Sequence, residues 1–210
     1  MLARILRRVS RLPLELDPGL AVRLEAAFDR EGKIVRALES LGPVAGRDVV
    51  AIEADAGPIA RGLVDLGARL APVSPRPDSE SLGLPAADAS ADVIVSAWST
   101  FRGVDEPAIR EVDRVLRAGG RQLVVHDYGR DDVARLSGER PEHLTWSDRN
   151  GPFLSSGFKV RVLHCWWTFD SLEDARSFLT DAFGEVGTSV GALLKRPRLA
   201  HKIAIYHRAL

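Results

Sequence analysis

Two carboxylates, Glu53 and Asp55, stand in the turn between an apolar run, Asp48 to Ile52, and the Gly57-Pro58 pair that opens a helix. Acids spaced this way in such a turn offer two chemistries. They would bind a cation or an amine. Alternatively they are solvated, with Asp55 satisfying the orphan N–H groups at the helix start. A second constellation, His126-Asp127-Tyr128, closes the apolar run Arg121 to Val125. A histidine there would act as a general base, with Asp127 orienting it. Adjacent strand residues point to opposite faces, so His126 and Asp127 do not share a pocket while the strand persists. The alternative is a hydrogen-bonded core histidine. Trp98, Trp146, Trp166 and Trp167 suit either an apolar acceptor pocket or the core. Trp98 is the best placed for a pocket because it directly follows a strand.

Other chemistries are disfavoured by composition. The five histidines show no metal-ligand spacing, so no metal site is expected. The single cysteine, Cys165, excludes an internal disulfide framework and fits a reducing cytoplasm. It reads as a core residue. Formal net charge is zero, so nothing electrostatic points to nucleic acid. No apolar run approaches a membrane span. Met1 to Leu12 is a basic amphipathic stretch that would either pack on the domain with solvated arginines or touch a membrane surface or acidic partner.

The elements that must hold these residues alternate. Asp17-Pro18 starts a helix that Gly32 interrupts and Gly42-Pro43 stops. Asp48 to Ile52 reads as a buried strand, Gly57-Pro58 as a helix start, and Arg69 to Val73 as a second strand. A Pro/Ser-rich connection leads to a strand at Asp92 to Ser96. A helix then runs from Asp105 until Gly119-Gly120 ends it. Arg121 to Val125 is the next strand, and Gly129 to Leu136 is helical. Val160 to Trp166, a capping box at Ser171 to Asp174, a helix, and a strand at Lys202 to Tyr206 complete the chain. Together these predict an α/β fold: a Rossmann-like, open, mostly parallel sheet with helices on both faces, its C-terminal strand–helix–strand closing one edge as an antiparallel pair. Residues 1–42 read as an N-terminal helical segment packed on an α/β domain of residues 43–210.

Two stretches carry a family resemblance. Leu84 to Trp98 reads LPAADASADVIVSAW, and Arg114 to Gly120 reads RVLRAGG before an apolar strand. In this order, after a strand–turn–helix, they resemble class I S-adenosylmethionine-dependent methyltransferases, over about Val44 to Asp132. The resemblance implies a seven-stranded sheet with the cofactor across the carboxyl ends of strands one, two and four. The implied cofactor contacts are Glu53, Ala54, Asp55, Gly57, Ser74, Glu80, Ser96 and Trp98, with His126 and Tyr128 beside the methyl acceptor.

The chain departs from that family in three places. The family's D-x-G-x-G-x-G falls on Ala51, Glu53, Asp55 and Gly57, and only the last glycine is kept. Each lost glycine adds a side chain where the cofactor would lie. Glu53 and Asp55 would also repel the cofactor's carboxylate unless a cation such as Arg30 or Lys33 neutralised them. Ser74 stands where the family has a ribose-binding acid. Val73 to Leu84 is too short for the usual helix and third strand, although Glu80 matches an acid that contacts the adenine amine. Two functions follow. One is methyl transfer to a small-molecule acceptor. The other is a methyltransferase-like domain that has lost S-adenosylmethionine and serves as a binding or assembly module for a partner.

Overall fold

The computed structural model describes residue 14 and residues 16–54, 57–75, 83–138 and 141–210, without the side chains of 141, 142 and 144. The basic N-terminal stretch, Asp55 and Glu80 lie outside the described residues.

Six strands form the sheet described: β1 (Asp48–Ile52), β2 (Arg69–Val73), β3 (Ala91–Ala97), β4 (Leu116–Asp127), β5 (Lys159–Thr168) and β6 (Arg198–Ala209), in the order β2-β1-β3-β4-β6-β5. Pairs from β2 to β4 are parallel, and β6 is antiparallel to both neighbours. The C-terminal pair thus closes the edge as the sequence predicts. Of the seven strands implied by the resemblance, six are found among the described residues, and the described part of the short β2–β3 connection carries none. β2 lies at the edge of the sheet described, is largely exposed, and tolerates Pro72 as edges do.

Eight helices are described: α1 (Pro18–Ala27), α2 (Lys33–Leu41), α3 (Pro58–Asp65), α4 (Glu106–Val115), α5 (Asp132–Ser137), α6 (Pro141–Trp146), α7 (Pro152–Ser155) and α8 (Leu172–Leu193). One face of the sheet is covered by α1, α2, α3, α5 and α8, in a core that joins Leu24, Ile34 and Leu38 to Val49, Val95, Leu123 and Ile205. On the other face α4 covers β1 and β3, while α6 and α7 cover β4 and β6. Gly32, at φ +63°, separates α1 from α2. Asp29 then accepts from the Lys33 and Ile34 N–H groups and caps α2.

Two elements differ from their sequence reading. The helix before β4 ends at Val115, and the glycine pair lies inside β4. Ala91 pairs with Leu116 and Val93 with Arg121, so residues between Leu116 and Arg121 bulge from the ladder. Gly119 is at φ +77° in that bulge. The glycines therefore mark an irregular strand, not a helix stop.

The second difference is α8. Gly184 sits at φ 58°, ψ −131°, and the chain turns back on itself there. Thr180 and Thr188 hydroxyls lie 3.0 Å apart, and the Arg176 Nε donates to the Gly191 carbonyl at 3.1 Å. Residues fifteen apart would be about 22 Å apart along a straight helix. α8 is an antiparallel helical hairpin. Arg23 of α1 pins its first arm through Asp174 and Asp181.

Candidate functional site

In an open α/β sheet a ligand site is expected beyond the carboxyl ends of the parallel strands, where connections diverge to opposite faces. Here that region is bounded by the residues after β1, β3 and β4. After β1 the chain enters Glu53 at φ +54°, a left-handed conformation that favours glycine. The Glu53 N–H donates to the Val73 carbonyl at 2.8 Å, which holds the turn against β2. Ala54 is buried. Gly57, at φ +95°, caps α3 ahead of Pro58.

The side chain of Glu53 is half-buried and turns toward the end of β3. Its carboxylate accepts from the Ser99 hydroxyl at 2.7 Å, and Ser99 is buried beyond the end of β3. Ser99 in turn accepts from the Phe101 N–H at 2.9 Å, and the buried Ser96 hydroxyl donates to the Phe101 carbonyl at 2.8 Å. The ends of β1 and β3 are thereby tied by side chains across the cleft. Ser74, after β2, is exposed and brings no charge.

Trp98 is the second left-handed residue of the region, at φ +48°. Its Nε1–H donates to Asp127 Oδ1 at 2.8 Å, and its ring meets Phe28 edge-on at 5.6 Å. The same Asp127 oxygen lies 3.0 Å from His201 Nε2. Trp167 Nε1, which can only donate, lies 3.1 Å from His201 Nδ1. The imidazole tautomer follows: Nδ1 accepts, and Nε2–H donates to the carboxylate. A chain of hydrogen bonds thus runs from Trp167 through His201 to Asp127, where Trp98 joins it. Burial pushes the Asp127 carboxyl up, but the His201 and Trp98 donors outweigh it and hold the group below its ordinary value.

His126 takes the opposite face of β4 from Asp127. It packs edge-on to Trp146 at 4.9 Å and near His143, under α6. Arg102 lies over the far partner, its guanidinium 4.3 Å from the Trp146 ring centre. His126 Nε2 is buried and has no hydrogen-bond partner among the described residues. Burial, aided by Arg102 and His143, drives the imidazole down to about 4, against weaker opposition from Asp127 and the Ser99 carbonyl. It is neutral at pH 7. Tyr128 leaves the strand, its N–H donating to the Lys202 carbonyl at 2.9 Å.

The structure therefore brings Glu53, Ser96 and Trp98 to one strand-end region with Asp127, and sets His126 on the other face of β4. Arg30 and Lys33 do not neutralise Glu53. Arg30 pairs with Asp170, and Lys33 binds the His164 carbonyl and Glu31, all at the β5 side. Trp146 and Trp167 are core residues. Sequence reasoning missed His201, whose one signal was a polar residue two positions before the apolar run Ile203 to Tyr206. No group of three His, Cys, Asp or Glu among the described residues could hold a metal ion. No described helix is long and apolar enough to cross a membrane.

Neither a protein-family model nor a curated protein matches the sequence. Solved structures match it by shape. A proposed type II methyltransferase from Anaeromyxobacter dehalogenans superposes with a TM-score of 0.52 at 18% identity, over 84% of this chain and 95% of that one. The MccD protein superposes with a TM-score of 0.50 at 13% identity, over 83% of this chain and 96% of that one. At such identities the likeness is one of fold. With the strand order and the Leu84 to Gly120 motifs, it establishes the fold of this chain as class I S-adenosylmethionine-dependent methyltransferase-like, shortened between β2 and β3.

Proposed function

We propose that this chain is a methyltransferase-fold domain that has given up S-adenosylmethionine and serves as a binding or assembly module. The observation that carries this reading is the Glu53–Ser99 hydrogen bond across the ends of β1 and β3. In the family the resemblance names, a glycine there leaves room for the methionine end of the cofactor. Here that space holds a carboxylate, and the cofactor brings a carboxylate of its own. Two like charges in a partly desolvated cleft repel, and Arg30 and Lys33 are engaged elsewhere. The exposed, neutral Ser74 adds no replacement for a ribose-binding acid. Among the described residues, Glu53 and Ser74 do not fit S-adenosylmethionine, so no methyl-transfer step is derived for them.

Titration calorimetry with S-adenosylmethionine and S-adenosylhomocysteine tests the reading. No heat at millimolar ligand is the expected result. Micromolar binding of either overturns it.

A second reading, methyl transfer to a small molecule, has one observation in its favour. The buried, unpartnered Nε2 of His126 is an acceptor without a donor, beside Trp146 at the end of β4. A hydroxyl or amine of an acceptor molecule would satisfy it. The same calorimetry separates the two readings.

A further inference from the structure

We propose that the groove where the second arm of α8 meets the β5–β6 edge is a docking site for an acidic protein segment that carries an apolar side chain. The groove encloses about 450 Å³, within the range of ligand-sized clefts. Its apolar lining is Trp166, Val190, Leu193 and Leu194. Leu193 is 81% exposed, the most exposed large apolar side chain described. It is held out at the groove by the hairpin that turns at Gly184.

Around this lining stand four cations: Arg135, Lys195, Arg196 and Arg198. One acid, Asp132, is present, but it already accepts from the Ala200 N–H and pairs with Arg135. Among the described residues no carboxylate pairs with Lys195, Arg196 or Arg198. Arg198 lies over the Trp166 ring at 4.3 Å, which fixes both side chains before any partner arrives. The chain as a whole is neutral, so this local excess of positive charge is a feature of the groove.

Charge and shape together select the occupant. A nucleic acid backbone would satisfy the cations but leave Leu193 and Val190 uncovered. A bilayer surface needs several apolar side chains on one projecting face, whereas Trp166, Val190 and Leu194 are half-buried and of this lining Leu193 alone projects. An acidic segment with a Leu- or Phe-type anchor satisfies both the apolar lining and the cationic rim. The inference rests on the binding-module reading for its purpose. The two fail separately, because groove substitutions leave the Glu53–Ser99 cleft intact and calorimetry with S-adenosylmethionine does not probe the groove.

The test uses the full chain and a fluorescein-labelled synthetic peptide in which Glu alternates with Leu, followed by fluorescence anisotropy. Saturable binding is expected. The Lys195→Glu/Arg196→Glu double variant should weaken it at least about tenfold. Leu193→Ser should do the same through lost apolar burial, by about tenfold. All three positions are exposed, so thermal unfolding of the variants should match the parent. Absence of saturable binding overturns the proposal, as does binding undiminished in both variants. Tighter binding of phosphatidylserine vesicles or polyuridylate, lost in the same variants, also overturns it in favour of a membrane or RNA partner.

Discussion

The Glu53 carboxylate and the Ser99 hydroxyl meet at 2.7 Å, joining the left-handed residue after β1 to the buried residue that follows β3. The backbone of Glu53 still has the conformation that a glycine would adopt freely, while its side chain reaches across to Ser99. Replacing it separates these two effects. Glu53→Gly loses the hydrogen bond but relieves the positive φ. Glu53→Ala loses the bond and keeps the strain, which is about 1–2 kcal/mol for a non-glycine residue. Urea denaturation should therefore rank Glu53→Gly above Glu53→Ala by about 1 kcal/mol. Equal stabilities, or the reverse order, would show that the left-handed turn is not retained.

Asp127 receives both Trp98 Nε1–H and His201 Nε2–H on a single oxygen, Oδ1. An amide oxygen placed there can accept both, so Asp127→Asn should keep the network and lose only the charge, costing about 1–2 kcal/mol at neutral pH. Asp127→Ala removes the acceptor from beneath a fully buried imidazole and should cost about 3 kcal/mol or more. The folded carboxyl titrates below its ordinary value of 3.8. Its contribution is therefore present above that pH and is lost as pH falls through the folded value. In acid unfolding, both variants should lack this component. An Asp127→Asn protein with the parent's acid profile would rule out Asp127 as its source.

The fold was legible in the two resembling motifs because they do structural work. Arg114 of the RVLRAGG run donates to the Leu84 and Ala86 carbonyls and pairs with Glu111, which accepts from the Leu84 N–H. The two motifs are thus the two halves of one lock between α4 and the segment entering β3. That lock uses local hydrogen bonds at fixed spacing, which a single sequence displays. Most strands and helices were legible for a similar reason, since apolar runs and caps such as Ser171, which accepts from the Asp174 N–H, are local. The site was less legible. Glu53 meets Ser99, and Asp127 meets His201, across more than forty residues, so neither pairing leaves a spacing to read. The α8 hairpin was missed because a glycine within a helical pattern ordinarily lowers helix stability without reversing the chain.

His126 makes stability depend on pH in the opposite direction from a salt-bridged histidine. Its folded value, about 4, lies below the ordinary 6.5, so the unfolded state takes up the proton first. Stability is full above about pH 6.5 and should fall by roughly 3 kcal/mol as pH drops toward 4. Asp127 contributes little in this window because it titrates lower. His126→Leu should be within about 1 kcal/mol of the parent at pH 8, since it trades the Ser99 carbonyl bond for removal of an unpaired buried nitrogen. It should also flatten the stability profile between pH 6.5 and 4. Denaturant midpoints measured across that range decide it, and an unchanged slope in His126→Leu would assign the dependence to another group, such as His207, which burial also pushes down.

The α8 hairpin gives a prediction whose sign depends on its geometry. A Cβ on Gly187 would overlap the Leu179 carbonyl of the first arm. Gly187→Ala should therefore force the arms apart and cost about 2–3 kcal/mol. At Gly191 the added carbon would meet Arg176 Cγ at 3.3 Å, part of a long side chain that can yield, so Gly191→Ala should be nearly neutral. In a straight, continuous helix both substitutions would stabilise, by up to about 1 kcal/mol, through helix propensity alone. Thermal unfolding of the two variants distinguishes these geometries. If Gly187→Ala raises the melting temperature, the arms do not pack against each other. Leu193 is then not held at the groove by the turn at Gly184, and the docking surface loses part of its apolar lining.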